Sequence, residues 1–315
     1  MKFGLLMPGQ GAQAVGMGAD FAACSPAARS LFEQADEVLG LSLSKICFEG
    51  PIEELTRTDI AQPAIYTCSL AALAAWEEKH GAIEATAAAG LSLGEYTALA
   101  ATGSLEFADG LRLVRLRGAA MQEASEAKPS GMTSVMGLDQ PALESLCAAV
   151  AEETGAICQV ANLNSPGQIV VSGENAALDV FDVRAKEAGA RRALRLQVAG
   201  AFHSEVMRPA ADKLQAALDE VEFKSAQCPV WQNATATAST EPSELKANLA
   251  AQLTAPVRWQ ESFAAMAAEA GETPFLEPAP GRVLAGLARK IAGEAKVLNL
   301  HEATALDTLL TESEA

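Results

Sequence analysis

Hydrophobic positions along the chain alternate between short unbroken runs and runs with helical spacing. Residues 2–8 (KFGLLMP) predict a short buried strand, followed by a glycine-rich loop over 9–18. Apolar positions over 26–39 and 62–78 recur at helical spacing, and 84–91 (EATAAAGL) predicts a second strand. TALAATG then continues as a helix to Gly103, and a further helix covers 107–125. The pattern changes after KPSG at 128–131. Strands at 132–138, 157–162, 168–172 and 192–198 are interleaved with helices at 140–154 and 175–188, with a turn at NSPG. That order is β-α-β-β-α-β, the split arrangement of a ferredoxin-like unit. Residues 205–305 alternate helical patterns with short apolar runs such as KVLNL, which suits an α/β core, and the tail TLLTESEA is expected to fray. The chain thus divides into an α/β core, 1–128 and 199–315, and an inserted subdomain, 129–198.

Composition narrows the function classes. A net charge of −17 argues against nucleic acid and anionic membrane as partners, and no apolar run is long enough to span a bilayer. The start MKFGLLMPGQ lacks the apolar stretch of a signal peptide, so a cytoplasmic protein is expected. The six cysteines are scattered without metal-ligand spacing and read as buried or half-buried residues in a reducing compartment. No metal and no cofactor are expected, and a monomer is the default.

The chemistry concentrates at GLSLGEY, residues 90–96. Ser92 and Glu95 fit a capping box, S-x-x-E, which would account for both. Ser92 is also the central residue of G-x-S-x-G between a strand and a helix, the context of a nucleophile elbow. A serine nucleophile needs a base, and the chain has three histidines. His80 reads as an exposed residue in a helix's last turn and His301 as a surface residue. His203, among small and apolar residues in VAGAFHSEVM, is the candidate base. Too many acids follow for spacing to choose a third member. Arg117 lies with Arg112 and Arg115 on one predicted helix, which reads either as a solvated face or, given Gly118, Ala119 and Ala120 beside Arg117, as a carboxylate clamp in a narrow site.

PGQGAQ at 8–13, GLSLGEY, LVRLRGAAMQEA at 113–124, NSPGQIVVSG at 164–173, GAFHS at 200–204, QLTAPVRW at 252–259 and EPAPGRVLAGL at 277–287 occur in this order. Together they resemble the malonyl-CoA:acyl carrier protein transacylases of fatty acid synthesis, over nearly the whole chain. The resemblance implies an α/β-hydrolase-like core with an inserted ferredoxin-like subdomain. It implies that Ser92 takes the malonyl group from malonyl-CoA, with His203 as base, and passes it to the phosphopantetheine thiol of acyl carrier protein. It also implies that the main-chain carbonyl of Gln252 orients His203, that the N–H groups of Gln10 and Leu93 form the oxyanion hole, that Arg117 binds the malonyl carboxylate, and that Phe202 favours the small malonyl unit.

Two positions depart from the family pattern: Leu91 stands where a histidine is common, and EPAPG replaces EVGPG. The family's carrier proteins are acidic, so docking on this acidic chain needs a local basic patch; RRALR at 191–195 with Arg184 and Lys186 is a candidate, as is its reading as a charged edge strand. Rival functions are a thioesterase using the same Ser92 and His203, a transacylase for polyketide assembly, and a non-catalytic carrier-binding module.

Overall fold

The computed structural model describes residues 1–313. Two sheets organise it. The larger has strand order β10-β9-β1-β2-β7-β8. Its members are β1 (Lys2–Met7), β2 (Glu84–Gly90), β7 (Val230–Trp231), β8 (Ala238–Ser239), β9 (Phe275–Pro278) and β10 (Val297–Leu300). All neighbours are parallel except β8, which turns back on β7. The smaller sheet is antiparallel, in the order β4-β5-β3-β6, from β3 (Ser130–Met136), β4 (Cys158–Ser165), β5 (Gln168–Glu174) and β6 (Arg192–Arg195).

Strand β1 lies centrally with its last five residues buried, as an apolar run in a parallel sheet covered on both faces requires. Its register with β2 pairs Met7 with Gly90, so the glycine-rich loop and the GLSLGEY turn leave the sheet side by side. In the smaller sheet, alternation splits neighbouring residues between two cores. Val135 and Val171 join Leu143, Val150, Leu178 and Phe181 in a separate core. Met132 and Val170 face the main core instead. A bridge from Asn162 to Val257 ties the two units together, with Val257 N–H on Ala161 O at 2.8 Å and Leu163 N–H on Val257 O at 2.9 Å.

Local signals explain both ends of two helices. Helices Pro26–Leu39 and Gln140–Thr154 each begin with proline in the first turn behind a side-chain cap, Ser25 Oγ on Ala28 N–H at 3.1 Å and Asp139 Oδ1 on Ala142 N–H at 3.0 Å. Both stop at a left-handed glycine, Gly40 and Gly155.

The structure corrects several sequence expectations. The helix expected from 62 begins at Thr58 and runs to His80 with Pro63 inside it. The carbonyl that Pro63 leaves without an N–H, Asp59 O, accepts Arg115 Nη1 instead, and the buried Asp59 carboxylate receives Arg115 at 2.7 Å and Arg57 at 3.1 Å. The tail expected to fray forms helix Ala305–Ser313, anchored by buried Leu306 and Leu309; residues 314–315 of that tail lie outside the described residues. His80 is half-buried rather than exposed, with Nε2 2.7 Å from Leu306 O and its ring 4.5 Å from that of Trp76. His301 is likewise half-buried, bonded to Arg282. Cys24 is exposed, while the other five cysteines are buried. In EPAPG, Glu277 accepts the N–H groups of Leu284 and Ala285, both at 2.8 Å, so this strand-end carboxylate caps helix Val283–Ile291.

Candidate active site

Strand β2 delivers the chain into a turn that only glycine permits at both ends. A Cβ on Gly90 would lie 1.9 Å from the Gly94 carbonyl carbon, and one on Gly94 would lie 2.1 Å from Met7 O. Between them Ser92 has φ +55°, the left-handed region that side chains other than glycine seldom occupy. Asn233 holds this conformation: its Oδ1 accepts the Ser92 N–H at 2.6 Å and its Nδ2 donates to Gly90 O at 2.7 Å. The capping-box expectation is overturned. Ser92 Oγ turns to other partners, and the Glu95 carboxylate points away from the helix start towards Gln232, Asn233 and Gln252. Gly90→Ala is therefore expected to destabilise the protein by more than about 4 kcal/mol, because backbone on backbone has no flexible end to yield; a thermal melt of the purified variant, or its failure to fold, checks this.

Ser92 Oγ lies 2.7 Å from His203 Nε2 across 111 positions of sequence. On the far side of the ring, His203 Nδ1 lies 3.0 Å from the main-chain oxygen of Gln252. A carbonyl can only accept, so Nδ1 carries the proton and Nε2 is left as the acceptor that a serine hydroxyl needs. Burial, reinforced by the positive charge of Arg117, lowers the His203 pKa to about 4. The imidazole is thus neutral at physiological pH, and the limb of the acylation rate that His203 contributes should lie near pH 4 rather than near its ordinary value; a pH series of single-turnover acylation measures it. His203 also sits at φ +57°, so both members of the pair occupy uncommon backbone conformations.

Arg117 is 1% exposed, on helix Phe107–Ala127. Its Nη1 donates to Gln62 Oε1 at 2.7 Å, and its Nη2 reaches Ser92 Oγ at 2.9 Å and Gln252 Oε1 at 3.0 Å. The guanidinium lies 5.5 Å from the centre of the Tyr96 ring. Arg112 and Arg115 pair with Asp109 and Asp59 on other faces, so the three arginines do not form one solvated face. Gly118 does not make room beside the guanidinium as expected; it lets the helix close on the 58–59 backbone, where a Cβ would come within 2.5 Å of Thr58 O.

A cavity of about 490 Å³ opens over Ser92 and His203, while Arg117 is not among the residues that line it. Gln10, Leu91, Ser92, Met132, Phe202 and His203 are among its lining residues, with Val283 and Leu287 from the helix capped by Glu277. Gln10 comes from the loop after β1, where its Nε2 lies 3.4 Å from Thr58 Oγ1, and Leu93 follows the serine directly. The cavity mixes an apolar wall with a few convergent polar groups, the usual character of a small-molecule site. Neither His80 nor His301 lines it.

The acyl transferase domain family matches residues 5–309. The malonyl CoA-acyl carrier protein transacylase of Bacillus subtilis (strain 168) is 46% identical over 297 residues, covering 94% of this chain and 92% of the relative. The chain belongs to the acyl transferase family. Among solved structures, an acyl-carrier-protein-S-malonyltransferase from Bartonella henselae is similar at TM-score 0.94 and 38% identity, covering 100% of both chains. A malonyl-transacylase solved in complex with a type II PKS acyl-carrier protein is similar at TM-score 0.93 and 38% identity, covering 99% of this chain and 100% of that one.

In this acyl transferase chain, the leucine at 91 lines the cavity, placing an apolar side chain beside Ser92. The RRALR cluster offers less free charge than its sequence promises. Arg195 is engaged by Asp179 and Asp182, both at 2.9 Å, and Arg184 by Glu153, and β6 is indeed an edge strand. Sequence reasoning passed over Gln62, Asn233 and the side chains of Glu95 and Gln252. Of these, Glu95 stood inside GLSLGEY, where the capping pattern gave a sufficient local account of it, and Gln252 opened QLTAPVRW, where only its main-chain carbonyl was singled out.

Proposed function

We propose that this protein transfers the malonyl group of malonyl-CoA to the phosphopantetheine thiol of an acyl carrier protein, through a malonyl-serine at Ser92, as a cytoplasmic step of fatty acid synthesis. The observation that carries this is the buried guanidinium of Arg117, 2.9 Å from the Ser92 hydroxyl. A thioesterase for neutral acyl groups has no use for a buried cation at that distance, and a carrier-binding module needs neither nucleophile nor base. The malonyl-transacylase names borne by its relatives support the same substrate.

The free carboxylate of malonyl takes the bidentate fork of Arg117, which sets the thioester carbonyl against Ser92. His203 Nε2 removes the serine proton as Oγ bonds to the carbonyl carbon, and the Gln252 carbonyl steadies the imidazolium through Nδ1. The N–H groups of Gln10 and Leu93 receive the developing oxyanion. The carbon–sulfur bond breaks and His203 returns the proton to the coenzyme A thiolate. The carrier thiol then repeats the sequence in reverse and restores the free serine. Phe202 narrows the acyl end. No cofactor or metal takes part, and the protein acts as a monomer.

The order of elements supports the finer fold assignment, an α/β-hydrolase-like core over 1–128 and 199–315 with a ferredoxin-like subdomain over 129–198. Incubation with malonyl-CoA followed by intact-protein mass measurement tests the function. A malonyl adduct that stays on the protein until a holo carrier protein is added is the expected result. An adduct lost to water at the same rate without carrier would make the protein a thioesterase, and no adduct would leave only a binding module.

A further inference from the structure

One carboxylate joins the three segments that carry the reactive groups. Glu95 is fully buried, one turn beyond Ser92. Its Oε2 accepts the Asn233 N–H at 2.9 Å and Gln252 Nε2 at 3.1 Å, and its Oε1 accepts Gln232 Nε2 at 3.3 Å. Each partner reaches onward. Asn233 fixes the Ser92 N–H and the Gly90 carbonyl, the two ends of the strained turn. Gln252 presents its main-chain oxygen to His203, its Oε1 to Arg117 at 3.0 Å, and its Nε2 also to Ser92 O at 2.8 Å. Gln232 ties the group to helix Pro242–Ala251 through Leu245 O at 3.0 Å and Asn248 Nδ2 at 2.8 Å.

We propose that Glu95 is a positioning residue of the transfer reaction, holding the nucleophile turn, the histidine-orienting carbonyl and the Arg117 clamp in one register. This rests on the assignment of Ser92 and His203 made above. All three groups aimed at Glu95 are N–H donors, and an ionised carboxylate is the side chain that only accepts. A glutamine of the same shape would turn an NH₂ group towards at least one of those donors, losing a bond and leaving a buried N–H facing another. A protonated Glu95 meets the same conflict, since its own O–H has no acceptor among these three. The loss would pass through Gln252 to His203 and Arg117, and through Asn233 to Ser92.

The ionisable groups facing Glu95 are Arg117, from helix Phe107–Ala127, and Tyr96 of its own helix; His203 lies beyond Gln252. Burial raises the Glu95 pKa to about 7, against the lowering effect of its three hydrogen bonds and of Arg117. The carboxylate therefore loses its proton near neutrality, and acylation should quicken as pH rises through that range.

The experiment is single-turnover malonylation of the full chain by malonyl-CoA, followed by rapid quench and intact mass, at pH values on both sides of neutrality. Wild type should show an ascending limb near pH 7. Glu95→Gln should lower the acylation rate constant about 10- to 100-fold with little change in the half-saturating malonyl-CoA concentration, and should lack that limb. Glu95→Asp, charged but one methylene shorter, should keep the limb at a reduced rate. A folded Glu95→Gln with wild-type rate and limb would overturn the proposal. So would a Glu95→Asp protein as fast as wild type, which keeps a test available if the glutamine variant does not fold. The wild-type adduct is the control: its absence sinks the transacylase assignment, whereas its presence beside an unaltered variant sinks only the role of Glu95.

Discussion

Ser92→Ala is expected to abolish the malonyl adduct and to lower transfer to the carrier thiol by on the order of 10⁴-fold or more, the range seen when the nucleophile of a serine–histidine pair is removed. With no Oγ, the acyl group cannot be held between the two thiols, and only the cavity's capacity to bind remains. The fold should survive. The turn at Ser92 is held by its main-chain N–H on Asn233 at 2.6 Å, which alanine retains, and the left-handed φ of +55° is as strained for alanine as for serine. Nη2 of Arg117 keeps Gln252 Oε1 as a partner at 3.0 Å, so the lost hydroxyl does not orphan it. Intact mass after incubation with malonyl-CoA, together with a melting curve, checks both halves. A variant that still gained a malonyl group would move the nucleophile elsewhere.

Arg117→Ala should lower kcat/KM for malonyl-CoA by about 10² to 10³-fold, the consequence of leaving one buried carboxylate without its charged partner. Acetyl-CoA, which has no distal carboxylate, should lose far less, so the ratio between the two donors collapses. The same substitution strips hydrogen bonds from Gln62 and Gln252 and removes the cation nearest Glu95, so some loss of stability accompanies it. Lysine should not restore selectivity, because its ammonium cannot offer two parallel donors. Competing malonyl and acetyl thioesters in one reaction gives the ratio directly, and a ratio equal to that of wild type would end the clamp assignment.

The legible parts of this chain were those where a local pattern has one outcome. FGLLM after Lys2 has no polar side chain and lies in the centre of a sheet; the strand and helix patterns over 129–198 match the order of elements found there. Ser25 and Asp139 cap helices where a proline follows. Other positions had two local accounts, and the competing one prevailed. Glu95 completes a capping pattern, yet its carboxylate is used by side chains 137 to 157 positions away. Helical spacing is legible from 62, but the helix begins at Thr58, with Asp59 buried in its first turn. Arg117 resembled part of a solvated face, although two residues on from Arg115 is about 200° around a helix, which already separates the two.

The sequence alone was enough for the strands up to 198, for several helices and for the sharp turn at Ser92, because strand burial and the need for glycine at 90 and 94 act over a few residues. Only the tertiary structure decided that Ser92, Arg117, His203 and Gln252 meet, with their contacts spanning 25 to 160 positions of chain. That meeting is made by packing: β1 beside β2, helix Phe107–Ala127 closed on helix Thr58–His80, and the segment at Val257 bound to the smaller sheet bring the four together. No spacing encodes such distances, since each depends on how whole faces bury against one another.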